Sequence, residues 1–335
     1  VSINLPTGVS VVFQLHGQSF SANEASCFVI KDAGDDPDVT NGAEVHAHVT
    51  CFPPSLALPR QGGVDISITG GIGIGTVTKP GLAIPPGEWA INPVPRRMIE
   101  EAVRSVYSPF TFHLLPFTIN VTISIPDGEQ RAKKTLNQRL GIMGGLSILG
   151  TTGIVRPISA KAWTDTIDAA LDVARACGCE TVVLSTGRTS EMAAQEFFTL
   201  YPSPFTLSEE AYIMMGDHVA YALQACTQRG FWRPVIACQF AKLLKIACGY
   251  ENTHAAASEL DLAILRGWAE QAGISSGILN IIENANTARE IAIASGFDRL
   301  LIELVAGKAI LAAAGHAPGI MVKPLLCGYD GVVVI

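Results

Sequence analysis

The second half of the chain alternates short apolar runs with amphipathic segments of helical period. "ETVVLSTGR" (180–188) combines a buried-strand pattern with a sharp loop, and helix-like segments flank it. "AYIMMGDHVAYALQACTQRG" (211–230) and "RPVIACQFAKLLKIACG" (233–249) repeat the order of strand, loop and helix. Strands that alternate with helices form a parallel sheet covered on both faces. We therefore predict that residues 156–335 form a Rossmann-like α/β domain.

The first half of the chain follows a different pattern, dominated by strands. "VSINLPTGVSVVFQL" (1–15) predicts a hairpin, and "EVHAHVTCF" (44–52) and "GVDISITG" (63–70) alternate as half-buried strands do. "PVPRRMIEEAVRSVY" (93–107) predicts a helix with proline at its start, where a missing N–H costs nothing. Residues 1–155 are therefore predicted to form a β-rich α+β domain, which gives a mixed α/β protein of two domains.

Composition excludes several classes of function. The net charge of −7 argues against sequence-independent binding of nucleic acid, which requires a basic surface. Although 48% of the residues are hydrophobic, no stretch of 18 or more residues is both apolar and free of charge, so we expect no membrane span. The eight cysteines include no CxxC pair, which argues against a zinc site and predicts reduced thiols in a cytoplasmic protein. No metal site and no signal peptide are predicted.

Two glycine-rich stretches resemble nucleotide-binding loops but lack what those loops need. "GGIGIG" (70–75) follows a strand, yet Pro80 and Pro85 prevent the helix that a dinucleotide or S-adenosylmethionine fingerprint requires. "GGLSILGTTG" (144–153) is nearly a P-loop, with Thr151 in place of the lysine that pairs with phosphates. Neither stretch therefore predicts a conventional nucleotide site.

Polar residues follow three predicted strands of the second half, in "STGR" (185–188), "GDH" (216–218) and "CQFAK" (238–242). In an open parallel sheet, ligands bind at the carboxyl ends of the strands. The first loop offers backbone and hydroxyl donors, and Asp217 can accept ribose hydroxyls or face a sulfonium charge. Ordinary strand–helix turns remain the alternative.

Four aspartates lie within seven residues of "IKDAGDDPDVTNG" (30–42). The spacing does not fit an EF-hand calcium loop, which needs a distal glutamate. Crowded carboxylates can raise the pKa of one member until it acts as a general base near neutral pH. A solvated turn is the alternative.

Six blocks of sequence, occurring in the same order over essentially the whole chain, resemble the CbiD family of cobalt-precorrin-5B C1-methyltransferases. They are 29–44, 77–99, 139–159, "LSTGRTSE" (184–191), "MGDHVAYAL" (215–223) and "FAKLLKIACGYENTHAAAS" (240–258). The resemblance implies methyl transfer from S-adenosylmethionine to carbon 1 of a cobalt-bound tetrapyrrole in anaerobic cobalamin synthesis, giving cobalt-precorrin-6A. Two alternatives stay open: a tetrapyrrole-binding protein without catalysis, and an S-adenosylmethionine-dependent enzyme that acts on another corrinoid.

The chain departs from the family pattern at several places. Family members usually begin with a Gly-Tyr-Thr-Thr-Gly segment, and its absence here predicts a longer gene product or a lost segment. His218 stands where the family often has an aromatic residue, Trp89 replaces a common proline, and "CQFAK" replaces a more usual His-Ile-Gly-Lys.

The resemblance and the residue chemistry together predict three sets of site residues. A general base is expected at Asp35 or Asp36, with His254 as the second choice. The S-adenosylmethionine site is expected at Ser185, Thr186, Gly187, Arg188, Gly216 and Asp217. The tetrapyrrole carries carboxylates at its rim, which arginine can hold with paired hydrogen bonds, and glycine lets the backbone approach a flat ring. The substrate set is Lys31, Lys79, Arg96, Arg97, Gly144, Gly145, Thr151, Thr152 and Arg156. The sequence does not decide between a monomer and a homo-oligomer.

Overall fold

The computed structural model describes residues 1–5, 8–34, 38–52, 65–107, 118–149, 160–201 and 207–334. The chain divides into two compact units, Val1–Ser159 and Ala160–Ile335. Among the described residues, the first unit contains three sheets and the second contains one, which is entirely parallel. The predicted mixed α/β class is therefore confirmed. No helix in the described ranges is long and apolar enough to cross a membrane.

The first unit is built around a mainly antiparallel sheet. Its elements are β1 (Ser2–Asn4), β2 (Ser10–Val12), β3 (His16–Phe20), β4 (Glu24–Ile30), β5 (Glu44–Phe52), β6 (Asp65–Gly70), β7 (Thr76–Val77), α1 (Pro93–Tyr107), β8 (Thr118–Ser124), α2 (Gly128–Ala132) and β9 (Ile142–Met143). β1 and β2 form the predicted hairpin. The five-stranded sheet has the order β3-β4-β5-β8-β6, and only the β6–β8 pair is parallel.

Alternation along β8 decides which face of this sheet forms a core. Ile119, Val121 and Ile123 are buried on one face. On the other face, the hydroxyls of Thr122 and Thr69 lie 3.1 Å apart in a hydrogen bond between β8 and β6. A period of two places every second side chain on the same face, so this strand gives the sheet one apolar and one polar surface.

The second unit contains the parallel sheet and most of the helices. Its elements are α3 (Ala160–Ala176), β10 (Val183–Ser185), α4 (Arg188–Leu200), a 3-10 turn (Glu209–Ala211), β11 (Tyr212–Met214), α5 (Val219–Gln228), β12 (Val235–Cys238), α6 (Phe240–Ala247), α7 (Leu262–Gln271), α8 (Ser276–Asn284), α9 (Ala288–Ala294), α10 (Arg299–His316) and β13 (Lys323–Leu326). The strand order is β11-β10-β12-β13.

Successive residues of the short strands in the second unit face opposite cores. Leu184 and Ile236 pack with residues of α3, α5, α6 and α10 in the larger core. Val183 and Val235 pack with Ala193 and other residues of α4 in the smaller core on the opposite face. Both faces of the sheet are therefore covered, which is why these strands read as continuous apolar runs in the sequence.

Candidate functional site

The strand order of the second unit reverses between β10 and β12. β10 leads into α4 on one face of the sheet, and its neighbour β12 leads into α6 on the other face. In open α/β sheets, the loops that leave adjacent strands toward opposite faces open a crevice at the carboxyl edge, where ligands bind. The loops that begin at Ser185 and at Cys238 flank this crevice, so the topology supports the predicted strand-end loops as a site.

Ser185 is the last residue of β10 and is fully buried. Its carbonyl oxygen accepts hydrogen bonds from the amides of Met215, at 2.9 Å, and Gly216, at 3.2 Å. Its Oγ has no hydrogen-bond partner within the part of the chain that the structure describes. A buried hydroxyl without a partner is costly, so this oxygen is a candidate for contact with a ligand or an ordered water. The amide of Thr186 is already bound to the Ala237 carbonyl, at 3.1 Å.

α4 begins directly after Gly187, which has extended backbone with a φ of −178° and makes no side-chain cap. The first amides of an uncapped helix attract negative groups. A Cβ built on Gly187 meets no atom of a described residue within 4 Å, so these residues leave space beside the start of α4. Arg188 is exposed at the first position of the helix. The predicted "STGR" loop therefore combines free space with donors suited to a carboxylate.

Gly216 has a local structural role in the loop after β11. Its φ is +59°, a left-handed conformation that favours glycine, and a Cβ there would lie 2.8 Å from the ring of Trp163. The Trp163 Nε1 donates to the Met215 carbonyl at 3.0 Å, which fixes the ring against this loop. Trp163 was not part of the predicted site, because nothing in the sequence links α3 to the loop after β11.

Asp217 forms an ion pair with Lys242 and accepts a hydrogen bond from the Thr253 hydroxyl at 2.7 Å. Burial alone would raise the pKa of this carboxyl, but the hydrogen bonds from Lys242 and Thr253 outweigh it and hold the pKa below its ordinary value. Asp217 is therefore a carboxylate at neutral pH. Lys242 and Thr253 both lie in the block "FAKLLKIACGYENTHAAAS" (240–258), but no sequence pattern indicates that they meet Asp217.

The hydrogen bond of the His254 ring leaves a hydrogen-bond donor, and not a basic nitrogen, facing its surroundings. Its Nδ1 accepts a hydrogen bond from the Ala256 amide at 3.2 Å, and its side chain is exposed. A neutral imidazole whose Nδ1 is an acceptor carries its proton on Nε2. The ring nitrogen that faces away from this turn therefore has a proton to give and no lone pair with which to accept one, which argues against the predicted role as a general base.

Lys31 in the first unit forms an ion pair with Asp38 at 2.6 Å and also contacts the Thr40 hydroxyl. Burial would raise the pKa of Asp38, but the bonds from Lys31 and Thr40 lower it overall. Lys31 lines a groove of about 430 Å³ together with Gln14 and His16. This volume suits part of a large ligand. The predicted base residues Asp35 and Asp36 lie outside the described residues.

The two neighbouring arginines of α1 have different environments. The Arg96 guanidinium donates to the carbonyls of Ile91, at 2.9 Å, Ile68, at 3.0 Å, and Trp89, at 3.3 Å. These bonds use its donors to tie α1 to β6 and to the turn before the helix, so they favour a structural role over the predicted binding of substrate. Arg97 is exposed and makes no ion pair with a described residue, so it is free to meet a carboxylate.

The predicted substrate residues of the glycine-rich region serve different purposes. Lys79 donates to the Arg139 carbonyl at 3.4 Å, and its stem lies against Gly141. Gly144 has a φ of +82°, and no described residue lies within 4 Å of its Cβ position, whereas Gly145 lies directly against the backbone of Gly73. Thr151, Thr152 and Arg156 lie outside the described residues. Among the residues that the structure describes, no group of three or more His, Cys, Asp or Glu could hold a metal ion.

Comparisons with known proteins identify one family over most of the chain. The family model described as CbiD matches residues 1–157, and the model described as CbiD, C-terminal domain, matches residues 252–335. Together they cover more than half of the chain. This chain belongs to the CbiD family.

Curated relatives of the family are similar over almost the whole chain. A cobalt-precorrin-5B C(1)-methyltransferase from Pelobacter propionicus is 60% identical over 100% of this chain and 88% of that protein. One of the same name from Geobacter sulfurreducens is 58% identical over 99% of this chain and 89% of that protein. A crystal structure of a cobalamin biosynthesis protein from Archaeoglobus fulgidus is 26% identical over 72% of this chain and 68% of that chain, with a TM-score of 0.34. That TM-score is too low for a comparison of folds.

Proposed function

We propose that this chain is a cobalt-precorrin-5B C(1)-methyltransferase of cobalamin biosynthesis, which forms cobalt-precorrin-6A with S-adenosylmethionine as the methyl donor. The observation that carries the proposal is the 60% identity, over the full length of this chain, to a relative of that name. The donor follows from the class of the enzyme. We expect the protein to act in the cytoplasm, where its eight cysteines would stay reduced.

The carboxyl edge of the parallel sheet is the proposed site for S-adenosylmethionine. The uncapped start of α4 and the unpartnered Ser185 Oγ suit the carboxylate of the methionine part. The Asp217 carboxylate suits the hydroxyls of the ribose. Thr186, Arg188 and Gly216 complete the two loops that would enclose the cofactor. The strand order of the second unit, 2-1-3-4 along the chain, is that of a flavodoxin-like doubly wound sheet rather than of a Rossmann fold, and sheets of both kinds bind ligands at such a switch point.

Methyl transfer requires the ring carbon to approach the sulfonium methyl in line with the bond that breaks. The new carbon–carbon bond forms as the carbon–sulfur bond breaks, and S-adenosylhomocysteine leaves as a neutral thioether. Holding both reactants in this geometry supplies much of the reduction in barrier. The ring loses a proton overall, and we assign its removal to Asp35 or Asp36, because His254 faces outward with a donor.

The tetrapyrrole is proposed to bind to the first unit through its rim carboxylates. Lys31, Lys79, Arg97 and Arg156 remain the candidate cations, while the bonds of Arg96 to three carbonyls remove it from this set. Gly144, Thr151 and Thr152 remain candidates for close approach of the backbone to the ring. Gly145 is better explained by its contact with Gly73.

The decisive test is to incubate the full-length protein with cobalt-precorrin-5B and S-adenosylmethionine and to follow the product by mass spectrometry. We expect the addition of one methyl group at carbon 1. Binding of the tetrapyrrole without a gain in mass would reject the enzyme and favour a carrier protein. Methylation of another corrinoid, but not of cobalt-precorrin-5B, would favour the second alternative.

The cofactor placement is tested by Gly187→Trp, measured by calorimetry with S-adenosylhomocysteine. Because Gly187 has extended backbone and no described residue lies within 4 Å of its Cβ position, we expect the indole to project into the proposed cofactor site, and circular dichroism would check that the variant folds. Gly187→Ala is the matched control and should bind normally. Unchanged affinity in Gly187→Trp would refute the placement.

The general base is tested by the double variant Asp35→Asn/Asp36→Asn. We expect it to bind both substrates while methyl transfer falls by about 10²-fold or more, as is typical when a general base is lost. Full activity would remove the acidic turn as the source of the base.

A further inference from the structure

The segment 250–254, "YENTH", is bound to the loop that carries Asp217. The Thr253 amide donates to the Asp217 carbonyl at 3.0 Å, and the Ala220 amide donates to the Glu251 carbonyl at 3.1 Å. Thr253 is fully buried, and its hydroxyl donates to Asp217 Oδ1. Backbone and side-chain bonds therefore join the two loops at the same point, which fixes the position of Asp217 as well as its charge.

Two lysines of α6 complete this cluster. The Lys242 ammonium contacts Asp217 Oδ1 and donates to the Thr253 carbonyl at 2.9 Å. The Lys245 ammonium, of a residue only 9% exposed, donates to the same carbonyl at 3.1 Å. Because α6 follows β12 and Asp217 follows β11, these contacts connect the loops of the two strands that flank β10. The cluster thus lies across the edge of the sheet where the cofactor is proposed to bind.

The two oxygens of the Asp217 carboxylate are used differently. Lys242 and Thr253 both contact Oδ1, while Oδ2 makes no hydrogen bond to any residue in the described ranges. The side chain is 26% exposed. Hydrogen bonds to ionised groups are stronger than neutral ones, so two donors on Oδ1 hold the carboxylate in one orientation. A single acceptor oxygen is then presented to the surroundings.

We propose that Lys242 and Thr253 are positioning residues that orient Asp217, so that Oδ2 accepts a hydrogen bond from a ligand with adjacent hydroxyl groups. On the proposed function, on which this inference rests, the ligand group is the ribose of S-adenosylmethionine. Neither residue touches the ligand itself. Their effect is on the discrimination between a ligand with ribose hydroxyls and one without them.

The test compares S-adenosylhomocysteine with its 2′,3′-dideoxy analogue by calorimetry. We expect the wild type to favour the natural ligand by about tenfold or more, the scale of one hydrogen bond to a charged group. Asp217→Asn, Lys242→Met and Thr253→Val should lose most of this preference. Lys242→Arg and Thr253→Ser keep the donors and should restore it. Lys161→Met removes an exposed lysine that pairs with Asp165, so it controls for the loss of charge.

Thr253→Val is nearly isosteric and keeps the backbone bonds of the loop, so it tests the inference even if Lys242→Met fails to fold. A purely structural role would change the affinity for both ligands equally and leave their ratio unchanged. An unchanged ratio in Thr253→Val would overturn the inference. If the ratio is also unchanged in Asp217→Asn while Gly187→Trp still abolishes binding, the ribose lies elsewhere but the cofactor placement survives. Normal binding by Gly187→Trp would overturn both.

Discussion

Gly145 and Gly73 approach each other so closely that a Cβ on Gly145 would lie 2.3 Å from the Gly73 carbonyl carbon. The Leu146 amide donates to the Gly73 carbonyl at 2.9 Å, and the Gly75 amide donates to the Leu146 carbonyl at 2.8 Å. The two glycine-rich stretches that resemble separate nucleotide loops are thus two parts of one local structure. Glycine is needed in this place because two backbones meet, and not because a phosphate binds between them.

Gly145→Ala should destabilise the first unit by about 1–3 kcal/mol, the usual range for overpacking, because the added methyl meets backbone atoms that cannot rotate away. Urea unfolding followed by circular dichroism measures the change. Gly307→Ala is the control, since it lies in the interior of α10 with open space at its Cβ position. The free energy of unfolding of Gly307→Ala should rise by about 0.5–1 kcal/mol, because alanine has a higher helix propensity than glycine. Equal stability of Gly145→Ala and the wild type would contradict the close approach.

Arg96→Met should lower the free energy of unfolding by about 2–4 kcal/mol, because it leaves three carbonyls without their charged donor. Arg97→Met on the same helix should change it by no more than about 0.5 kcal/mol, as expected for an exposed residue. The affinity for the tetrapyrrole, measured on the same samples, should fall in Arg97→Met and stay unchanged in Arg96→Met. If Arg97→Met binds substrate normally, Arg97 is not one of the rim contacts.

Asp217→Asn should reduce stability at neutral pH by about 1–3 kcal/mol, because Lys242 loses its charged partner. The pKa of Asp217 in the folded protein is below its ordinary value of 3.8, so the carboxylate stabilises the fold above pH 3.8. That contribution is lost as the pH falls through the folded-state pKa. Urea unfolding of the wild type and of Asp217→Asn should be measured between pH 7 and pH 3. The difference between their free energies of unfolding should shrink only at the acid end of this range. A difference that does not depend on pH would exclude the charge as its cause.

His254→Asn should preserve the pH profile of methyl transfer. The asparagine Oδ1 can accept from the Ala256 amide as the imidazole Nδ1 does, so the local turn is kept. Because the bonded tautomer leaves no acceptor on the outward side of His254, removing the ring should not remove a base. Loss of the acid limb of kcat/KM in this variant, with normal folding, would restore His254 as the general base.

Local patterns predicted much of the architecture. The alternation of apolar runs and helical segments after residue 160 correctly predicted the parallel sheet, and the pattern of residues 1–15 correctly predicted the antiparallel pair of β1 and β2. Pro80 and Pro85 correctly excluded a helix after "GGIGIG", since the chain continues into β7. These features depend on neighbours in the chain, because proline restricts the backbone and the period of the side chains selects helix or strand.

The chemical state of the site residues was decided only by tertiary structure. Arg96 and Arg97 are adjacent and identical in type, yet one donates to three carbonyls and the other is exposed. The charge and orientation of Asp217 depend on Lys242 and Thr253, which lie 25 and 36 residues away in the chain. Periodicity determines which face a side chain takes, but hydrogen bonds and burial between distant segments determine what its polar atoms can still do. The sequence by itself therefore established the family and the strand–helix order, while the three-dimensional contacts decided which polar groups are free for chemistry.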